Sequence, residues 1–316
     1  MWASAAAKAA VVSLFEKTVE SVDVLIPSGE RVVLPVLWAY EGRACVKKRG
    51  FIEDDVTCGA SIVAEVEPSR SGLILEAGKG VGIVTRKGLR LSVGEPAINP
   101  VPRFYILKNV SDALRAYGAD SGYRIVISVP DGERIAESTI NEKLGIVGGI
   151  SILGTKGIVI PFNTKSFLDS IITEIRFARA QGLDEIVFSP GRQTLDAARR
   201  MLSGLPEEAF VVIGDYLFFS LLHAKRAGFR LVHLFSQPAK LAKVAYGFKN
   251  THVKHGRVPM KWLAHFFSEP VIESFNTVRE VYEYLGAKRW KKLEDFAERR
   301  LKADLGIEVK VYTVFM

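Results

Sequence analysis

The chain is 316 residues long, 48% hydrophobic and 25% charged, with a formal net charge of +8, which allows a substantial core and predicts two domains. Its longest apolar run, Leu144 to Phe162, is interrupted by Gly145, Gly148, Gly149, Gly154, Lys156 and Gly157, which excludes a membrane span. Cys45 and Cys58 are too few for a disulfide framework or a zinc site, and the start MWASAAAKAAVVSLF lacks a basic leader and a cleavage site, so a cytoplasmic protein is expected.

In chain order, the Ala-rich run Ser4 to Val19 predicts a helix packed closely on a sheet. Val22 to Ile26 and Arg31 to Trp38 flank Pro27, Ser28, Gly29 and Glu30 and read as a hairpin. Strands follow at Ala60 to Val66 and Gly72 to Leu75, then a short helix at Val110 to Tyr117. Next come a strand at Tyr123 to Val129 and a helix at Glu133 to Lys143. This half, residues 1 to 165, reads as an α+β domain with a mainly antiparallel sheet. After Pro161 the texture changes. Phe167, Leu168, Ile171, Ile172 and Ile175 recur at helical steps until Gly182. Strands at 185–188, 210–213 and 230–235 then alternate with helices at 194–202, 216–226 and 238–246. A charged helix at 287–305 and a strand at 307–315 complete the pattern. Residues 166 to 316 therefore read as a Rossmann-like α/β domain with a parallel sheet.

Two stretches are unusual in charge or glycine content. Ala77 to Arg103 holds five glycines, three prolines and five cations against one acid, Glu95. A backbone built this way comes close to something, and an anionic ligand is one candidate. Within it, Gly78, Gly80 and Gly82 imitate a nucleotide-binding turn, but Ile83, Val84 and Thr85 follow where that fingerprint requires a helix. Asn99, ahead of Pro100, is pushed out of helical geometry, which leaves its amide to reach a ligand or cap a strand. Residues 216 to 268 carry nine Lys or Arg, all five histidines and no acid, so a partner with several negative charges fits: a polycarboxylate, a phosphate, or nucleic acid.

Candidate chemistry follows from position. Gly191 ends the first strand of the second domain just before a helix, and Asp215 ends the next strand, where an acid can bind a ribose diol. Gly148, Gly149 and Gly154, with Ser151 and Thr155, read either as an anion-binding nest or as closely packed strands. Lys240, Lys243, Asn250, Thr251, His252 and His255 lie within sixteen residues, with His252 a candidate for proton movement. His252 and His255 have no carboxylate or thiolate nearby to complete a metal site.

The segments GVGIVTRKGL, GEPAINPVPR, LGIVGGISILGTKGIVIPF and AKLAKVAYGFKNTH, in this order, closely resemble the cobalt-precorrin-5B methyltransferase family of anaerobic cobalamin biosynthesis. The resemblance implies methyl transfer from S-adenosylmethionine to ring carbon 1 of a cobalt corrinoid, giving cobalt-precorrin-6A. It also implies a first domain like a permuted second domain of a small-subunit ribosomal protein. Family members usually carry a GYTTGT-like segment ahead of the Ala-rich helix, where this sequence begins. The acidic loop before Asp55, Val56 and Thr57 is reduced, and Val253 stands where a serine is usual.

A precorrin bears several carboxylates, ionised at neutral pH because they titrate near about 4. The expectation is that Arg103, Asn99, Lys240 and Lys243 bind this anionic corrinoid. Gly191 and Asp215 would contact the methyl donor, with Gly78, Gly80 and Gly82 as a rival donor site. Cobalt would arrive within the substrate, so no protein-bound metal is needed. The competing readings are a non-catalytic corrinoid carrier and a nucleic-acid binder using residues 216 to 268.

Overall fold

A computed structural model describes residues 1–49, 55–119, 122–154 and 164–315. The chain divides into two compact units, Met1–Asn163 and Thr164–Met316.

The first unit is built on the helix Trp2–Val12, in which Ala3, Ala5, Ala6, Ala7, Ala9 and Ala10 are all buried. Alanine favours the helix and its small side chain allows close packing on the sheet behind it. The helix ends sooner than its composition predicts. Ser13 closes it, donating its hydroxyl to the Ala10 carbonyl at 2.8 Å and accepting the Gly42 amide at 3.0 Å. Ser21–Leu25 and Arg31–Pro35 form the expected antiparallel hairpin. Buried Asn109 holds it from the side, accepting Leu25 N–H at 2.8 Å and donating to the Leu25 carbonyl at 2.9 Å.

The main sheet has five strands in the order Trp38–Tyr40, Arg43–Lys47, Ser61–Ser69, Gly122–Ser128, Leu73–Ala77. All pairings are antiparallel except the last. Period-two alternation turns Ile62, Ala64, Val66, Tyr123, Ile125 and Ile127 into one core with the Ala-rich helix and the helix Pro100–Ala116. That second helix starts well before the predicted Val110. Proline suits a first helical turn, where its missing N–H has no partner to lose. By contrast, the helix expected at Glu133 to Lys143 stops at Ala136; Thr139 turns the chain by donating to the Ala136 carbonyl at 2.7 Å.

The glycine-rich stretch becomes two miniature ladders. Gly80–Val81 pairs in parallel with Gly149–Ile150, and Ile83–Val84 pairs antiparallel with Ile146–Val147. Gly80 has φ +75°, and a Cβ there would overlap the Val129 carbonyl oxygen.

The second unit is a four-stranded parallel sheet in the order Phe210–Val212, Glu185–Ser189, Leu231–Ser236, Glu308–Thr313. On one face Ile186, Phe188, Val232, Leu234, Val309 and Val311 pack with the helices Thr164–Ala180, Leu217–Ala227, Pro238–Tyr246 and Val278–Leu305. On the other, Val187, Phe210 and Phe235 meet Leu195 and Ala198 of the helix Arg192–Met201. The predicted charged helix extends back to Val278 across a break at Gly286, where φ is 67°. Trp290 on it is fully buried and donates to Thr313 Oγ1 at 2.9 Å.

Candidate functional site

Numbered by sequence, the parallel strands run 2-1-3-4. An open sheet of this kind takes ligands beyond the carboxyl ends of its strands, near the point where strand order reverses. A pocket of about 600 Å³ is lined by residues that follow the second and third strands, with Asp215, Gln237, Lys240, Lys243, Thr251, His252, Arg257 and Thr277 among them. That volume is within the range of small-molecule sites. Asp215 follows the second strand, and Gln237 caps the helix that leaves the third.

These side chains are already linked to one another. Asp215 Oδ1 accepts the Thr251 hydroxyl at 2.7 Å and faces the Lys240 ammonium at 3.0 Å. Burial by itself would raise the Asp215 carboxyl, but Thr251 and Lys240 outweigh it and hold the group below the usual carboxylate range. Lys243 is buried and donates to the Thr251 carbonyl at 2.9 Å. Burial pushes its ammonium down, with Lys240 and Arg257 adding to the effect against Asp215. Lys243 thus clamps the loop that carries Thr251, and Thr251 in turn braces Asp215. Thr251 stands in the sequence cluster around Lys240 and His252, but its spacing there assigns it no role of its own.

His252 is exposed, and its Nδ1 accepts the Lys254 amide at 3.2 Å. In a neutral imidazole the other nitrogen, Nε2, then carries the proton. In that form the ring presents a donor to its surroundings. Gly191 caps the helix Arg192–Met201 with extended φ, has no atom within 4 Å of a would-be Cβ, and is not in the pocket wall.

In the first unit the glycines come close to their own chain. A Cβ on Gly78 would strike Ser128, one on Gly82 would strike Ile146, and one on Gly132 or Gly149 would strike Gly80. Ser151, a candidate anion ligand, donates to Asn141 Oδ1 at 3.2 Å; its expected companion Thr155 lies outside the described residues. Asn99 makes no capping bond at the start of the helix Pro100–Ala116. One turn along, Arg103 donates from Nη1 to Glu95 Oε1 at 3.1 Å. Its Nε and Nη2 are shielded from solvent and have no hydrogen-bond partner among the described residues. Charged donors left in this state cost about 1 to 3 kcal/mol or more, which an anion against that edge would remove.

A smaller cavity of about 150 Å³ is mostly apolar, with Lys48, Thr57, Tyr105 and Ser151 among its polar lining. Lys48 pairs with Asp55 at 2.7 Å and donates to Thr57, whose hydroxyl donates to Asp55 at 2.6 Å. Burial works to raise the Asp55 carboxyl, yet Lys48 and Thr57 keep it low. Among the described residues, no three His, Cys, Asp or Glu side chains gather as a metal site would require, and no helix is long and apolar enough to cross a membrane.

Comparison with known proteins gives a consistent picture. The CbiD family model matches residues 1–161. A cobalt-precorrin-5B C(1)-methyltransferase of Geobacillus sp. (strain WCH70) is 41% identical over 268 residues, covering 83% of this chain and 73% of that protein. One from Geobacter metallireducens is 39% identical over 313 residues, covering 90% and 85%. A crystal structure of cobalamin biosynthesis protein (cbiD) from Archaeoglobus fulgidus, 30% identical, aligns over 98% of this chain and 84% of that chain with a TM-score of 0.44. With a family model across its first half and relatives this similar along most of its length, the chain belongs to the CbiD family of cobalt-precorrin-5B C(1)-methyltransferases.

Proposed function

We propose that this protein methylates ring carbon 1 of cobalt-precorrin-5B to give cobalt-precorrin-6A, with S-adenosylmethionine as the methyl donor, in the cytoplasm. The observation that carries the substrate side is the unpaired Nε and Nη2 edge of Arg103. These two donors form the parallel fork that matches a carboxylate, and a corrinoid is rich in carboxylates. Asn99, uncapped at the start of the same helix, offers a neutral amide to the same class of ligand. In the second unit Lys240 supplies positive charge to the pocket, Lys243 braces the pocket wall through the Thr251 carbonyl, and His252 is our candidate for proton movement.

The donor contributes a methyl group on sulfonium, transferred by displacement to a carbon held in line, so binding and orientation account for most of what the protein must do. Asp215 and Gly191 are our candidates to hold it. Asp215 Oδ1 is committed to Thr251 and Lys240, which leaves Oδ2 as the acceptor for a ribose hydroxyl. At Gly191 the open space leaves room for a guest near the main chain. Gly78, Gly80 and Gly82 serve the packing of the first unit instead. The likeness of that unit to a permuted ribosomal-protein domain belongs to the same reading. It is supported by a parallel pair, Leu73–Ala77 with Gly122–Ser128, joined through the helix Pro100–Ala116.

Purified protein incubated with cobalt-precorrin-5B and methyl-labelled S-adenosylmethionine is expected to move label into the corrinoid. Corrinoid binding without label transfer would make it a carrier, and binding of neither would revive the nucleic-acid reading. Arg103→Ala is expected to weaken corrinoid binding by about 1.5 to 3 kcal/mol, the worth of a charged hydrogen-bonded contact. An unchanged affinity removes Arg103 from the site.

A further inference from the structure

Glu95 is the single acid in a stretch of five cations, and it is held more firmly than a surface ion pair requires. Its Oε2 accepts the Ser92 amide at 2.7 Å, which leaves Oε1 for Arg103 Nη1 at 3.1 Å. Its own carbonyl accepts Val84 N–H at 3.0 Å, and the neighbouring Gly94 amide returns a bond to Val84 at 2.8 Å. Further along, the Ala97 amide donates to Gly82 at 2.7 Å and Asn99 N–H to Ile152 at 3.1 Å. The link from Gly94 to Asn99 is therefore laced to the glycine-rich ladders, and Arg103 stands on the helix that follows directly. Both ends of the Glu95 to Arg103 contact rest on fixed backbone.

A guanidinium is planar, so anchoring Nη1 while the helix fixes the stem sets the direction of the opposite edge. That edge, Nε with Nη2, is the one without a partner. We infer that Glu95 is a positioning residue: it holds the Arg103 guanidinium in the plane that offers its Nε and Nη2 fork to a substrate carboxylate. This rests on the reading of Arg103 as a corrinoid ligand. A bare counter-ion would do the reverse, competing with the substrate for the same cation. The two roles predict opposite signs when Glu95 is neutralised.

The experiment is a double-mutant cycle on the full-length protein, measuring kcat and the KM for cobalt-precorrin-5B, with the KM for S-adenosylmethionine alongside. Glu95→Ala is expected to raise the corrinoid KM about 5- to 30-fold with kcat little changed, the signature of lost ground-state binding. Glu95→Gln, which keeps an acceptor for Nη1, should recover part of that. With Arg103→Ala in place, Glu95→Ala should add nothing, because the two residues act as one unit. Since the double variant can fail to fold, Arg103→Lys gives a second background. An ammonium has no fork to orient, so Glu95→Gln should leave its KM unmoved. If the effects at Glu95 and Arg103 multiply independently, or if Glu95→Gln lowers the KM, the positioning role is overturned while Arg103 keeps its place. If Arg103→Ala alone leaves the KM unchanged, the underlying reading fails first.

Discussion

Gly80 in the first unit opens a short strand just after a turn, and Gly191 in the second lies between a strand and the helix it caps, both in stretches that resemble ligand-binding loops. Around Gly80 the space is full: the Val129 carbonyl and the backbone of Gly132 stand where a side chain would go, and φ is +75°. Around Gly191 nothing lies within 4 Å, and its extended backbone suits any residue. A glycine required by its own fold carries no message about a guest. One that the fold does not require leaves the guest as a reason for it. The cations divide in a similar way: Lys240 is paired with Asp215, whereas two of the donors on Arg103 have no partner among the described residues.

The largest effect that tests this contrast is at Gly80. Gly80→Ala is expected to destabilise the protein by about 3 kcal/mol, combining overpacking with a strained positive φ. Urea unfolding measures it; full stability with lost methyl-donor binding would return the Gly78 to Gly82 turn to the donor site. Next comes Arg103→Ala, whose penalty should fall on corrinoid affinity and leave the unfolding midpoint almost unmoved.

Asp215→Asn should cost about 1 kcal/mol at neutral pH, the scale of a single partly exposed hydrogen-bonded pair. The sign follows from linkage. Asp215 has a folded pKa below its unfolded one, so its contribution is complete above the ordinary carboxylate value and fades as pH falls through the folded value. The stability difference between Asp215→Asn and the parent should therefore close in acid; a gap that persists there would mean the loss is one of packing. Smallest in stability is Gly191→Ala, below about 1 kcal/mol as a weaker helix cap. If the methyl donor lies against this backbone, the same change should weaken donor binding by calorimetry, and unaltered donor affinity would take Gly191 out of the site.

The second unit was legible because its strands are short apolar runs set off by Gly and Pro, and because its helices show one apolar face. Glu185–Ser189 and Leu231–Ser236 stand within a residue or two of their predicted limits. In the first unit the same punctuation misled. Pro100 and Pro102 read as a loop, yet proline is welcome in the opening turn of a helix, so the helix bearing Arg103 was cut short. Ser13 ended another helix early by a hydrogen bond to a residue, Gly42, far off in sequence. Charge was visible in the sequence, but its pairing was not. Nothing in the spacing of Lys243 says that its ammonium is held by the Thr251 carbonyl, or that the His252 lone pair at Nδ1 faces a backbone amide.

The edge position of Glu308–Thr313 has a consequence for how the chain matures. Its partner, Leu231–Ser236, ends more than 70 residues before it, whereas every strand of the first unit's main sheet is made before residue 129. Chains emerge from the ribosome at about 5 to 20 residues per second and fold from the N-terminus onward. The earlier sheet can therefore close while one flank of Leu231–Ser236 still displays unpaired amides and carbonyls. Such an open border invites adhesion to other nascent chains, so chains stalled ahead of Glu308 should clump or recruit chaperones where longer ones do not.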